Sequence, residues 1–87
     1  MIKPTIGCVV WYKPFVHDAG GDQMHAATVA YVWADTTVNL SVADQNGNHY
    51  SRILVFLHQG DPESCPDGSC CWMPYQKAQA EKAEAAA

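Results

Sequence analysis

The chain has 87 residues, of which 48% are hydrophobic and 16% charged, and its formal net charge is −4. Area scaling gives about 5,000 Å² folded against about 13,800 Å² extended, so roughly 63% of the surface is buried, enough for one thin core and too little for a separate catalytic lobe. Five scattered cations (Lys3, Lys13, Arg52, Lys77 and Lys82) face nine carboxylates. That balance excludes duplex binding as a main role, because such binding needs several clustered phosphate contacts.

The start, Met1-Ile2-Lys3-Pro4-Thr5, has no continuous apolar run, so no secretory signal is expected. The longest nearly apolar stretch, Ala26 to Ala34, has nine residues; a membrane-spanning helix needs about 20. A soluble cytoplasmic protein with no membrane partner is the expectation.

Residues 5–12 (Thr-Ile-Gly-Cys-Val-Val-Trp-Tyr) are rich in β-branched and aromatic side chains and predict a first strand. Ile6, Cys8 and Val10 fall on one face, Val9 and Trp11 on the other. Residues 13–25 form a loop around Pro14, Gly20 and Gly21. Residues 26–34 predict a second strand with Val29, Tyr31 and Trp33 on one side and Thr28, Ala30 and Val32 on the other. The alternation from Thr37 to Asp44 is the clearest, with Val38, Leu40 and Val42 inward. Asn46-Gly47 supplies the positive φ of a hairpin turn. Residues 49–58 return as a fourth strand, Ile53, Val55 and Leu57 opposite Leu54 and Phe56, so both of its faces are apolar. A polar loop over 59–69 leads to a short fifth strand near Cys70 to Met73, which Pro74 ends.

The fold expected from this order is all-β, a small five-stranded SH3-like barrel over residues 1–75. An oligonucleotide-binding barrel is the alternative, although it usually carries a helix between its third and fourth strands. Residues 76–87 have helical propensity without a hydrophobic stripe, and predict a weakly helical or disordered Ala-rich tail. Apolar residues on competing strand faces exceed what one small barrel interior holds, so a homo-oligomer is expected.

No catalytic signature is present: no nucleophile elbow, phosphate loop, zinc-protease helix or dinucleotide fingerprint. The expectation is a protein that is not an enzyme and needs no cofactor. His17-Asp18 could form a poised base in its loop, or simply be solvated. His25 and His58 flank strands and are expected half exposed. The four cysteines (Cys8, Cys65, Cys70 and Cys71) read as reduced thiols, as a Cys65–Cys70 disulfide across the Pro66-Asp67-Gly68 turn, or as part of a zinc site with His58 or His49. Their spacing fits zinc poorly, and no metal site is expected.

Nine aromatic residues are many for this length. Trp and Tyr suit base stacking and protein interfaces alike, and they also fill cores, which is the other reading for Trp11 and Trp33. Trp72 and Tyr75 straddle Pro74 near the chain end and are expected to form an exposed binding edge. With Trp11 to stack, and with Arg52 and His49 to engage phosphate or ribose, these five are the candidate ligand-binding residues. So few cations could hold only a small anionic ligand.

Ile2-Lys3-Pro4-Thr5-Ile6-Gly7-Cys8-Val9-Val10-Trp11-Tyr12 resembles the opening of a group of small phage and prophage proteins of unassigned role. Cys71-Trp72-Met73-Pro74-Tyr75-Gln76-Lys77 resembles their closing motif, and the likeness spans most of residues 2–80. The chain departs from that pattern at Cys8, where an arginine is common, and at Cys71, where a glutamate precedes the tryptophan. The resemblance implies a phage accessory protein of the host cytoplasm with an anti-defence role, sequestering a small nucleotide-derived immune signal at an oligomer interface. The alternative is a protein–protein module that inhibits a host defence enzyme, or a minor virion component. A hydrolase of such signals is a distant third.

Overall fold

A computed structural model describes residues 2–15 and 23–86. The expected five-stranded barrel is what the chain forms. Its strands are β1 (Val9–Tyr12), β2 (His25–Ala34), β3 (Thr37–Ala43), β4 (His49–His58) and β5 (Cys70–Cys71), and the helix α1 (Pro74–Ala86) follows. Each strand pairs antiparallel with the next up to β4; β5 then closes the barrel, parallel to β4 and antiparallel to β1.

The interior is built from alternate residues of each strand. Val10 and Tyr12, Ala27 and Val29, Val38, Leu40 and Val42, and Val55 and Leu57 are all buried, together with Cys70 and Trp72. The inward set expected of β3 is the one observed. Strand β1 is shorter than the sequence predicts. Gly7 adopts φ 92° in a turn closed by Cys8 N–H donating to the Thr5 carbonyl (3.1 Å), which ends pairing short of Ile6 and leaves that side chain exposed.

Two strands carry extra residues. Between the pairs Val29–Leu40 and Tyr31–Asn39, and again between Val32–Val38 and Ala34–Thr37, β2 advances by one residue more than β3. Between Val38–Val55 and Leu40–Arg52, β4 spends three steps against two on β3. Each bulge reverses the in–out parity beyond it. Inward positions on β4 therefore run Tyr50, Arg52, Val55, Leu57; Ile53, placed by simple alternation on the face of Val55 and Leu57, is exposed, and so are Leu54 and Phe56, so the strand with two apolar faces is covered on one face only. The surplus residue falls at Leu54, whose φ is +53°, a conformation unfavourable for a branched side chain.

The β3–β4 turn is five residues, Asp44 to Asn48. The Asp44 carboxylate accepts the backbone N–H groups of Asn46 and Asn48 (both 2.9 Å), and Gly47 takes φ 83°. At the other end of the chain the tail, expected to be weakly helical or disordered, forms an α-helix of 13 residues that begins at Pro74. Pro74 opens it, where a missing N–H costs nothing, and Gln76 anchors it twice. The Gln76 carboxamide oxygen accepts the Met73 N–H (2.8 Å), and its NH₂ donates to the Val9 carbonyl (2.8 Å). The first bond caps the helix locally, and the second, rather than an apolar stripe, ties its first turn to β1.

Candidate functional site

The five residues expected to bind ligand do not come together. Trp72 is only 3% exposed and belongs to the barrel core, whereas Tyr75 is 72% exposed on α1. The expected Trp72–Tyr75 binding edge therefore does not exist, because β5 turns Trp72 inward over the barrel before Pro74 starts the helix. The Trp72 indole N–H is buried with no hydrogen-bond partner among the described residues. His49 and Arg52 lie on opposite faces of β4, since no bulge intervenes between them. His49 is exposed and hydrogen-bonds Ser41 (3.2 Å), and Arg52 points toward the barrel end.

Arg52 belongs to a cluster that the sequence did not suggest. Its guanidinium lies over the Tyr50 ring, 4.4 Å from the centroid, donates through Nε to the Tyr12 hydroxyl (3.3 Å) and caps the Ser51 carbonyl (2.9 Å). Tyr50 meets Tyr12 edge-on at 6.4 Å, and its hydroxyl hydrogen-bonds His25 Nδ1 at 2.9 Å. His25 is buried, not half exposed as expected. Register explains the grouping: Tyr12 pairs with His25, and Tyr50 sits opposite Val42 on the next strand but one, so all point into one barrel end. His58 is half-buried, and its Nε2 hydrogen-bonds the Ser64 hydroxyl (3.1 Å). His17-Asp18 lies outside the described residues.

Trp11 sits on the outside of β1 and forms one wall of an open groove of about 470 Å³, completed by Asp61, Pro62, Glu63, Pro74, Lys77 and Ala78. Lys77 bridges Asp61 at 3.4 Å, and Glu63 adds a second carboxylate to the same wall. Two acids against one neutralised lysine repel a phosphate, so this groove does not suit the anionic ligand expected for Trp11.

The third feature is the outer face of β2–β4. Tyr31, Trp33, Ile53, Leu54 and Phe56 are all exposed, and Trp33 and Leu54 are 57% and 62% exposed. Tyr31 and Trp33 pack ring against ring at 4.8 Å with an interplanar angle of 67°. Asn39 lies between them and β4, accepting the Trp33 indole N–H (3.0 Å) and the Leu54 amide (2.8 Å) on one side-chain oxygen. Phe56 pairs with Thr37 across the next rung. None of these side chains carries a charge. With aromatic side chains offering roughly 150–250 Å² each and the three here about half exposed, Tyr31, Trp33 and Phe56 alone present about 225–375 Å², to which Ile53 and Leu54 add. That falls within the roughly 300–600 Å² of the largest patch on a typical monomer, where such patches are often functional.

The four cysteines are free thiols. Among the described residues no three His, Cys, Asp or Glu side chains are grouped so as to hold a metal ion, and no helix is long and apolar enough to cross a membrane. Comparison with protein-family models, with curated proteins and with solved structures finds no match to this chain.

Proposed function

We propose that this chain is a non-catalytic binding protein that works by docking the aromatic face of β2–β4 on another protein surface, in the first instance a second copy of itself. The observation that carries this reading is the Asn39 carboxamide, which holds Trp33 and the strained Leu54 amide in place on an exposed, uncharged surface. Backbone strain and a dedicated hydrogen bond keep apolar groups facing water, which weakens an isolated domain and favours a partner. Among the described residues every strand has two neighbours in the closed ring, although β5 covers β4 only at Leu57 and His58, so association by strand addition is restricted to the rest of that one edge. In the setting implied by the resemblance to small phage proteins, such an oligomer is an anti-defence protein of the host cytoplasm.

A second reading has a small nucleotide-derived signal as the cargo of that oligomer. Arg52 favours it: among the described residues its guanidinium has no carboxylate partner, and it lies stacked on Tyr50 beside the Tyr12 hydroxyl and His25. Arg–aromatic pairs of this kind hold a phosphate and a base together.

Sedimentation equilibrium on the wild-type chain and on a Trp33→Ser/Phe56→Ser double variant tests the first reading. The expected result is a wild-type dimer or larger closed oligomer and a monomeric variant with unchanged far-UV circular dichroism. A wild-type chain that stays monomeric at every accessible concentration overturns self-docking. Thermal shift against cyclic nucleotides and ADP-ribose derivatives tests the second; at 100 times its dissociation constant a ligand adds about 2.7 kcal/mol.

A further inference from the structure

Three separate parts of the chain meet at the Trp11 groove, and each is fixed by bonds of its own. Trp11 stands on β1, paired with Ala26 on one side and Cys71 on the other. Asp61 caps the short 3₁₀ turn Pro62–Ser64, which carries Glu63. The Ser64 and Cys65 amides close that turn on the Asp61 and Pro62 carbonyls at 3.0 and 3.1 Å, and the Ser64 hydroxyl meets His58 Nε2 at 3.1 Å. From α1 come Pro74, Lys77 and Ala78, whose spacing of three and four residues puts them on one helix face. Gln76, bonded to the Val9 carbonyl, fixes that face beside β1. The walls are therefore set before anything enters, which spares an incoming group the cost of ordering them. Their charges do not balance. Lys77 reaches Asp61 at 3.4 Å, a loose contact to a carboxylate that is 85% exposed. Glu63 is exposed and, among the described residues, has no ion pair. One carboxylate is thus left uncompensated beside an aromatic wall, on a chain whose net charge is −4.

We propose that the Trp11 groove receives an arginine side chain from a basic segment of a partner protein. The groove already holds one cation, the Lys77 ammonium, and holds it weakly. A guanidinium suits the lining better, because its flat face stacks on an indole while its edge donates in a fork to a carboxylate. Seated against Trp11, it turns its donors to Glu63, and to Asp61 as Lys77 gives way. Pro62, Pro74 and Ala78 offer apolar cover for the aliphatic stem. A volume of about 470 Å³ lies within the roughly 300–1,000 Å³ of ligand sites and holds more than one side chain, so the flanking residues of the segment fit as well. That room favours a protein segment over a small free cation. The negative net charge draws a basic partner in and keeps acidic ones away. This site shares no residue with the aromatic face of β2–β4 and does not depend on it.

The test is calorimetric titration of the purified chain with an end-capped peptide of alternating glycine and arginine. Saturable binding is expected, and it disappears when citrulline, the neutral isostere, replaces arginine. Trp11→Ala weakens binding about 10-fold and Glu63→Gln about 3-fold. Lys77→Gln, which leaves Asp61 free, tightens it, and the Trp33→Ser/Phe56→Ser variant binds as wild type. No binding, equal binding of the citrulline peptide, or a folded Trp11→Ala chain of unchanged affinity overturns the proposal. Displacement of the peptide by spermidine at matched charge assigns the groove to small polycations and overturns the protein partner. Should Trp11→Ala not fold, Glu63→Gln decides, since an exposed side chain is exchanged there and the core is untouched.

Discussion

Asn39 Oδ1 accepts hydrogen bonds from the Trp33 indole N–H at 3.0 Å and from the Leu54 backbone N–H at 2.8 Å, so one β3 side chain ties a β2 aromatic to a β4 bulge. Asn39→Ala removes this shared acceptor and with it both hydrogen bonds. We expect a loss of about 1–2 kcal/mol, read as a fall in melting temperature, together with weaker self-association. Asn39→Asp keeps the acceptor and serves as the matched control.

Leu54 separates stability from association. At φ +53° a branched residue costs roughly 1–2 kcal/mol that glycine does not. Leu54→Gly therefore raises the urea midpoint of the monomer while it weakens docking by removing an exposed apolar side chain. Leu54→Val, β-branched, moves the midpoint the other way. A stabilised and equally associating Leu54→Gly chain would count against the aromatic face.

Trp72 offers a test of burial against hydrogen bonding. Its indole N–H is buried without a partner among the described residues, so Trp72→Phe removes an unsatisfied donor along with some volume. The two effects oppose each other, and we expect a net change within about 1 kcal/mol. Trp72→Ala leaves a large cavity in the core and costs about 3–5 kcal/mol. Chemical denaturation of both variants checks the contrast.

At the barrel end, Arg52→Lys keeps the charge and loses the planar stack on Tyr50 and the Nε donor to Tyr12. A loss of about 1 kcal/mol in thermal unfolding is expected. If the cluster also receives a nucleotide, the same substitution abolishes the ligand-induced rise in melting temperature, an effect stability alone does not produce.

Burial pushes the Cys70 thiol from its ordinary value of 9.0 up to about 12. In the unfolded chain it ionises near 9, in the folded chain only near 12. The unfolded state therefore binds fewer protons than the folded one across that interval, and stability falls as pH rises through it. Below pH 9 the contribution is fully present. Urea titrations between pH 8 and 11 should show the decline, and Cys70→Ala should flatten it.

The β3–β4 hairpin was the most readable part of the sequence, because Val38, Leu40 and Val42 alternate without interruption and Asn46-Gly47 marks the turn. The bulges in β2 and β4 were not readable. An extra residue shifts parity without changing composition, so Ile53 and Val55 look equivalent in sequence and differ in the fold. The same loss of register hid the Arg52 cluster, since Tyr12, His25, Tyr50 and Arg52 meet only when four strands close on one another. The burial of Trp72 is hidden for a different reason: nearness to a chain end says little when the last strand is what seals the barrel. Helical propensity after Pro74 is legible in the composition, but its anchor is a single residue, Gln76, reaching back to Val9, a contact that no periodicity reveals.

Closure of the strand ring has one more consequence, for the size any assembly can reach. A sheet with free edges can add neighbours without end, and fibres grow that way. Here every strand has two neighbours in the ring, β5 covering β4 only at Leu57 and His58, and among the described residues the β2–β4 face is the broad apolar surface left for contact. Two copies meeting through the same face occupy it completely, by a two-fold operation that closes on itself. A complex made that way is finite, and it stays dispersed even when the chain is abundant.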